Sequence, residues 1–179
     1  MEVFEAIKKR RSIRSYKSDA VPKEKLERVL QAARLAPSAA DREPWHFIVV
    51  TDQQKRKQLS RGGRFAWFLS ESPVVIVGCG NRKVSPKWYT VDTAIAMQNM
   101  VIAATGEGLG TCWIGSFNQQ QVKQILSIPD EYVIISLLAI GYASDEEDLP
   151  SKALRLVERK KRLEEIVSVE KFEYPYVSQ

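Results

Sequence analysis

Arg10, Ser12 and Arg14 stand at alternate positions within Lys8–Lys17, KKRRSIRSYK, a stretch with six cationic side chains and no acidic one. Like charges packed this densely repel one another unless an anion neutralises them, so the stretch predicts an anionic ligand. Arginine offers planar forked donors suited to phosphate or to the polar edge of a heterocycle, and the serine adds a hydroxyl. A solvated helix end, favourable to the helix dipole, is the plainer reading of the same residues. A second basic run, Lys152–Arg162, sets six cations against Glu158 and reads either as a solvated charge run or as a further grip on phosphate. The formal charge is +5, so the residues outside these two runs sum to −6. Positive charge is therefore localised. That favours a compact anion over a diffuse polyanion, although a folded patch joining the two runs is also compatible with nucleic acid.

Two other segments invite a chemical reading. In LAPSAADREPWHF the small residues Ser38, Ala39 and Ala40 lie between Pro37 and Pro44. They let the backbone approach a flat ligand closely, or they form an ordinary helix-to-strand connection. In GEGLGTCWIG the glycines Gly106, Gly108 and Gly110 follow a helix and enter a strand. That is the reverse of the strand-to-helix order of a dinucleotide fingerprint. What remains is a glycine-rich helix exit that delivers Trp113, Ile114 and Gly115, where Gly115 can offer a bare backbone N–H. With one histidine, His46, and two cysteines, Cys79 and Cys112, at no ligand spacing, no protein-bound transition metal is expected, and both thiols read as reduced packing residues.

The elements that position these residues follow from periodicity. Val3, Phe4 and Ile7 make the stripe of a short first helix. Leu26, Val29, Leu30 and Ala33 form the stripe of a second, with Pro22 at its start and a stop before Pro37. HFIVVT predicts a strand, Asp52 caps QQKRKQLS, and PVVIVGCG predicts a strand buried on both faces. YTVDTAIAMQNMVIAATGEG predicts a long helix, apolar on almost every side except at Asp92, Gln98 and Asn99, buried in the core or at a subunit interface. TCWIG is a short strand, Asn118 caps QQQVKQIL, and YVIISLLAIGY is the most hydrophobic strand. Helices interleaved with about four strands indicate an α+β or α/β fold as a single domain over 1–179. The chain is 44% hydrophobic and 27% charged, with no apolar run of membrane-spanning length and no apolar leader, so a soluble cytoplasmic protein without a membrane partner is expected.

In order, RRSIRSYK, APSAADREPWHFIVV, VDTAIAMQNMVIAATGEGLGTCWIG and the basic patch before LEEIV resemble the nitroreductase family of FMN-dependent oxidoreductases, over nearly the whole chain. The resemblance implies an α+β fold with a central mixed, mostly antiparallel sheet flanked by helices. It also implies a domain-swapped-type homodimer with FMN at the subunit interface. Carried over, Arg10, Arg11 and Ser12 lie at the phosphate and ribityl end of FMN, and Arg14 at the N1/O2 edge of the ring. Pro37, Ser38 and Ala39 line the flavin from the other subunit, while Ile114, Gly115 and Ser116 run beside the N5 edge. Lys160 and Arg162 complete the phosphate site, where KKRLEE replaces the more usual Arg-Lys-Pro before Leu-Glu-Glu and leaves Arg159 and Lys161 as further candidates. Asp41 stands where many members carry Asn. Arg64 is the candidate to replace the Gln or Asn that often contacts the flavin pyrimidine.

The activity implied is that of an NAD(P)H-dependent FMN nitroreductase. Hydride passes from NAD(P)H via flavin N5 to a nitroaromatic, a quinone or a similar small-molecule acceptor by a ping-pong mechanism. No dedicated acid or base is required, and Arg14 gives electrostatic support. A specialised flavin enzyme of the same fold, a dehalogenase or dehydrogenase, is the first rival; such members usually carry extra lids or insertions. A nucleic-acid-binding module is the second, and it is disfavoured because only Tyr16 among the aromatics is interleaved with a basic run.

Overall fold

Val74–Asn81 and Tyr132–Gly141, the two most continuous apolar runs, pair with each other at the centre of a four-stranded sheet. With β1 (Trp45–Val50), β2 (Val74–Asn81), β3 (Gly110–Ile114) and β4 (Tyr132–Gly141), the order is β1-β2-β4-β3 and every neighbouring pair is antiparallel. The one parallel pairing among the described residues is an isolated bridge from Ser12 to Thr111 on β3. The α+β fold is as expected, but the four-stranded sheet itself is wholly antiparallel and not mixed, because the parallel bridge at Ser12 lies outside its strands. The computed structural model describes residues 1–63, 65–145, 160–174 and 176. Contacts divide the chain into two units, Met1–Glu147 and Asp148–Gln179.

In the first unit, strand alternation sends successive side chains to opposite faces, and each face has its own core. Val75 and Val77 join Leu59, Phe68, Val122 and Leu137 in one cluster. Ile76, Leu138 and Ile140 join Val29, Ala33, Met97 and Met100 in the other. The helices are α1 (Val3–Lys9), α2 (Lys23–Arg34), α3 (Gln53–Ser60), α4 (Tyr89–Gly106) and α5 (Gln119–Leu126). The predicted caps form: Asp52 Oδ1 accepts from Lys55 N–H at 2.8 Å and Asn118 Oδ1 from Gln121 N–H at 3.0 Å. A Cβ on Gly78 would overlap the sulfur of Met97, so the missing side chain on β2 is what lets α4 lie directly on the sheet.

Two helices differ from the simplest expectation. Helix α4 buries Met97, Met100, Val101 and Ala104, but Val91 and Ile95 are 46% and 38% exposed, so it is not enclosed on all sides within one chain. Asp92, which the pattern placed among its polar interruptions, is buried. The α1 stripe of Val3, Phe4 and Ile7 likewise faces outward, and Ala6 is the buried residue of that helix. No described helix is long and apolar enough to cross a membrane.

In the second unit, Leu163–Glu165 forms one 3₁₀ turn, opened by Arg162, whose backbone N–H donates to Glu165 Oε2 at 2.8 Å. Leu163, Ile166 and Phe172 are exposed there.

Candidate functional site

Helix α1 stops at Lys9 because Arg10 turns to extended backbone, φ −51° and ψ 130°. From there the chain runs alongside β3. Ser12 bridges Thr111, Ile13 N–H donates to the Thr111 carbonyl at 2.9 Å, and Lys17 N–H donates to the Tyr142 carbonyl at 2.9 Å. An extended chain alternates its side chains, so the i, i+2, i+4 spacing of Arg10, Ser12 and Arg14 puts them on one side of this strip. All three are half-buried. Ile13 turns the other way, against the bare Gly110, where a Cβ would come within 2.7 Å of it. The buried Cys112 thiol on β3 is held above its ordinary pKa by burial, while Arg14 and Arg10 both pull it back down.

Neighbouring cations make contacts within the chain. Arg11 folds back, its Nη1 donating to the carbonyls of Lys8 at 2.7 Å and Arg10 at 2.9 Å, which closes the end of α1. Lys17 Nζ lies 2.8 Å from Asp145. Tyr16, buried below the strip, donates its hydroxyl to the Ile13 carbonyl at 2.7 Å, and burial pushes its pKa well up.

At the exit of β3 the Ile114 side chain is buried and its carbonyl accepts from the buried Ser136 hydroxyl at 2.9 Å. Gly115 and Ser116 are exposed. A Cβ added at Gly115 meets nothing within 4 Å, so the absence of a side chain there is not demanded by this chain's own packing. Gly63 packs against the Ser116 carbonyl, and Asn118 N–H donates to the Gly62 carbonyl at 2.7 Å. Arg64 itself lies outside the described residues.

The segment after Pro37 is strained. Ala40, Asp41 and Glu43 have φ of 52°, 53° and 44°, the left-handed region, where a non-glycine residue costs on the order of 1–2 kcal/mol. Ser38 holds the turn from within: its carbonyl accepts from Asp41 N–H at 3.1 Å and its hydroxyl from Glu43 N–H at 2.9 Å. From outside, Asp92 in the first turn of α4 accepts the Ala39 N–H at 3.1 Å. Sequence reasoning saw Asp92 only as a polar break in an apolar helix. A carboxylate in a first helical turn has a ready explanation in the helix dipole, which hides its contact with a distant loop.

Pro37–Ala39 and the Arg10–Arg14 strip are tied to opposite ends of α4. Ala39 hangs from the first turn of α4, whereas Ser12 pairs with the strand that begins just beyond the last turn, where Leu109 N–H donates to the Ala104 carbonyl. At 1.5 Å per residue the two ends of that helix are roughly 20 Å apart. The strip and the Ile114–Ser116 exit, by contrast, share the β3 edge. Lys160 and Arg162 are exposed in the second unit, and Arg159 lies outside the described residues. Among the described residues no group of His, Cys, Asp or Glu could hold a metal ion.

What the β3 edge can do is hold an anion against guanidiniums while presenting a bare backbone to a flat partner. Known proteins are similar to this chain in sequence and in fold. A candidate NADH dehydrogenase/NAD(P)H nitroreductase of Archaeoglobus fulgidus is 36% identical over 154 residues, 82% of this chain and 88% of that protein. The FMN reductase [NAD(P)H] of Bacillus subtilis is 28% identical over 93% of this chain and 78% of its own length. Among solved structures, the FMN-dependent nitroreductase of Clostridium difficile R20291 superposes with a TM-score of 0.74 at 32% identity, covering 89% of this chain and 99% of that one. The model of the nitroreductase family matches residues 7–62 and 64–142, which include the strip, the strained loop and the β3 exit, and the chain belongs to that family.

Proposed function

We propose that this protein is an FMN-dependent oxidoreductase that passes hydride from NAD(P)H to a small acceptor such as a nitroaromatic or a quinone, and that it works as a homodimer. The observation that carries the reading is the β3 edge: Arg10, Ser12 and Arg14 on one side of a strip pinned to Thr111, with a bare Gly115 at the strand exit and open space before it. The donor set fits FMN. Arg10 and Ser12 bind the phosphate and ribityl end, and charge-assisted bonds to a phosphate are each worth roughly 1.5–3 kcal/mol. Arg14, half-buried, would face the N1/O2 edge, where a fixed cation stabilises negative charge as it develops. Gly115 would give its N–H to the N5 edge without adding a titrating group. Bound FMN supplies the two-electron chemistry between NAD(P)H and the acceptor, and the fold supplies placement.

A second copy is assigned a share of the site because the two segments of one chain are tied to opposite ends of α4. Pro37–Ala39 of one protomer and the Arg10–Arg14 strip of its partner together line the ring. The outward stripes of Val3, Phe4 and Ile7 on α1 and of Val91 and Ile95 on α4 are the apolar surface for that association. The test is direct. The purified protein should be yellow, release FMN on denaturation and lose its visible absorption on anaerobic addition of NADH or NADPH. A colourless protein that takes up no FMN would end this reading.

A further inference from the structure

We propose that Asp92 is the positioning residue of the loop that lines the flavin, an inference that rests on the flavin assignment above. Asp92 is 3% exposed, and its two carboxylate oxygens serve two separate segments. Oδ1 accepts the Ala39 N–H at 3.1 Å, and Oδ2 accepts the Ser85 hydroxyl at 3.4 Å. One side chain in the first turn of α4 thus ties together the loop before β1 and the loop after β2.

The tie matters because of what the first loop contains. Three non-glycine residues within four positions, Ala40, Asp41 and Glu43, are held in the left-handed region. Such a conformation persists only where its surroundings over-determine it, and clusters of this kind accompany functional sites. The bonds from Ser38 shape the loop internally but do not say where it stands. The Asp92 bond does, since it fixes Ala39 to a helix whose Met97 and Met100 are locked in the core against the sheet. The position of a rigid helix is thereby transferred to the Pro37–Ala39 segment. What the loop needs from Asp92 is an acceptor at Oδ1, and an asparagine supplies that as well.

The experiment compares Asp92→Ala, Asp92→Asn and Ser85→Ala with the wild-type protein. Each is stripped of flavin and then titrated with FMN and with riboflavin, with amide hydrogen exchange followed at Ala39 in the stripped proteins. Asp92→Ala should weaken both ligands by the same factor, about tenfold or more, because the loop faces the ring that they share and not the phosphate. Protection of the Ala39 amide should fall in the same variant. Asp92→Asn should stay within about threefold of wild type and keep that protection, and Ser85→Ala should fall between the two. Unchanged affinity and protection in Asp92→Ala overturns the proposal, as does an asparagine variant as impaired as the alanine one. A loss confined to FMN also overturns it, because it would place the effect at the phosphate. Should Asp92→Ala not fold, the asparagine and Ser85→Ala variants decide the question by the same criteria. Wild-type protein that binds neither ligand refutes the flavin assignment itself, whereas the exchange result at Ala39 speaks to the loop anchor alone.

Discussion

Gly115→Ala separates a residue kept small for a ligand from one kept small for packing. In the protein alone the added methyl meets nothing within 4 Å, and Gly108, not Gly115, is the glycine with a left-handed φ. The substitution should therefore leave the flavin-free fold as stable as wild type, or stabilise it by about 0.4–1 kcal/mol through a less flexible unfolded chain. Gly78→Ala is the contrast. Its methyl overlaps the Met97 sulfur in a fully buried cluster, an overpacking that costs about 1–3 kcal/mol. Urea unfolding of the flavin-free proteins, at one protein concentration, should show the midpoint of Gly115→Ala at or above wild type and that of Gly78→Ala clearly below. Flavin binding should show the reverse order of damage. A methyl between the β3 exit and the ring should weaken FMN about tenfold or more in Gly115→Ala, by the same overpacking argument. The reasoning is refuted if Gly115→Ala unfolds as early as Gly78→Ala, or if it binds FMN as tightly as wild type.

Three further outcomes follow from the geometry. Arg14→Ala should slow flavin reduction or lower the flavin potential more than Lys17→Ala does, since Lys17 is engaged with Asp145; equal effects in stopped-flow and redox titration would remove Arg14 from its assigned place. Burial pushes the Cys79 thiol up to about 11, about a hundredfold less thiolate at pH 8 than at the ordinary value of 9.0, so native protein should resist a thiol reagent until urea exposes it. Arg28 grips Glu107 through two bonds of 2.7 and 2.8 Å and holds its carboxyl below the ordinary value. A depressed acid stabilises the fold above its unfolded pKa and ceases to as pH falls through the folded one. The melting temperatures of wild type and Glu107→Gln should therefore differ at pH 7 and converge toward pH 3, and a gap independent of pH would contradict the pairing.

Local chemistry was legible where local periodicity decides it. Helix α2 shows its stripe of Leu26, Val29, Leu30 and Ala33, and Asp52 and Asn118 announce their helices, because caps and stripes depend on residues three or four apart. The central strands declared themselves by continuous apolar runs. Their order was not legible, since pairing β2 with β4 rests on contacts about sixty residues apart that leave no local trace. The site was legible in part. Alternate spacing of Arg10, Ser12 and Arg14 pointed to a shared ligand, and the extended strip gives that spacing its meaning. Two features stayed hidden. Nothing in Ala40 and Glu43 signals a left-handed backbone, which sequence reading associates with glycine and, more weakly, with residues such as Asp41. Asp92 acts through a loop fifty-three residues away, and its burial depends on how that loop folds over α4.

The central claim is that the cationic strip beside β3 exists to hold the phosphate of a bound flavin. The most direct measurement compares the affinities of the flavin-free protein for FMN and for riboflavin, in wild type and in Arg10→Ala. A charge-assisted bond of roughly 1.5–3 kcal/mol corresponds to about 10- to 150-fold in affinity. Wild type should accordingly prefer FMN by at least about tenfold, and Arg10→Ala should lose most of that preference while binding riboflavin as before. Equal affinity of the wild-type protein for the two ligands would contradict the account.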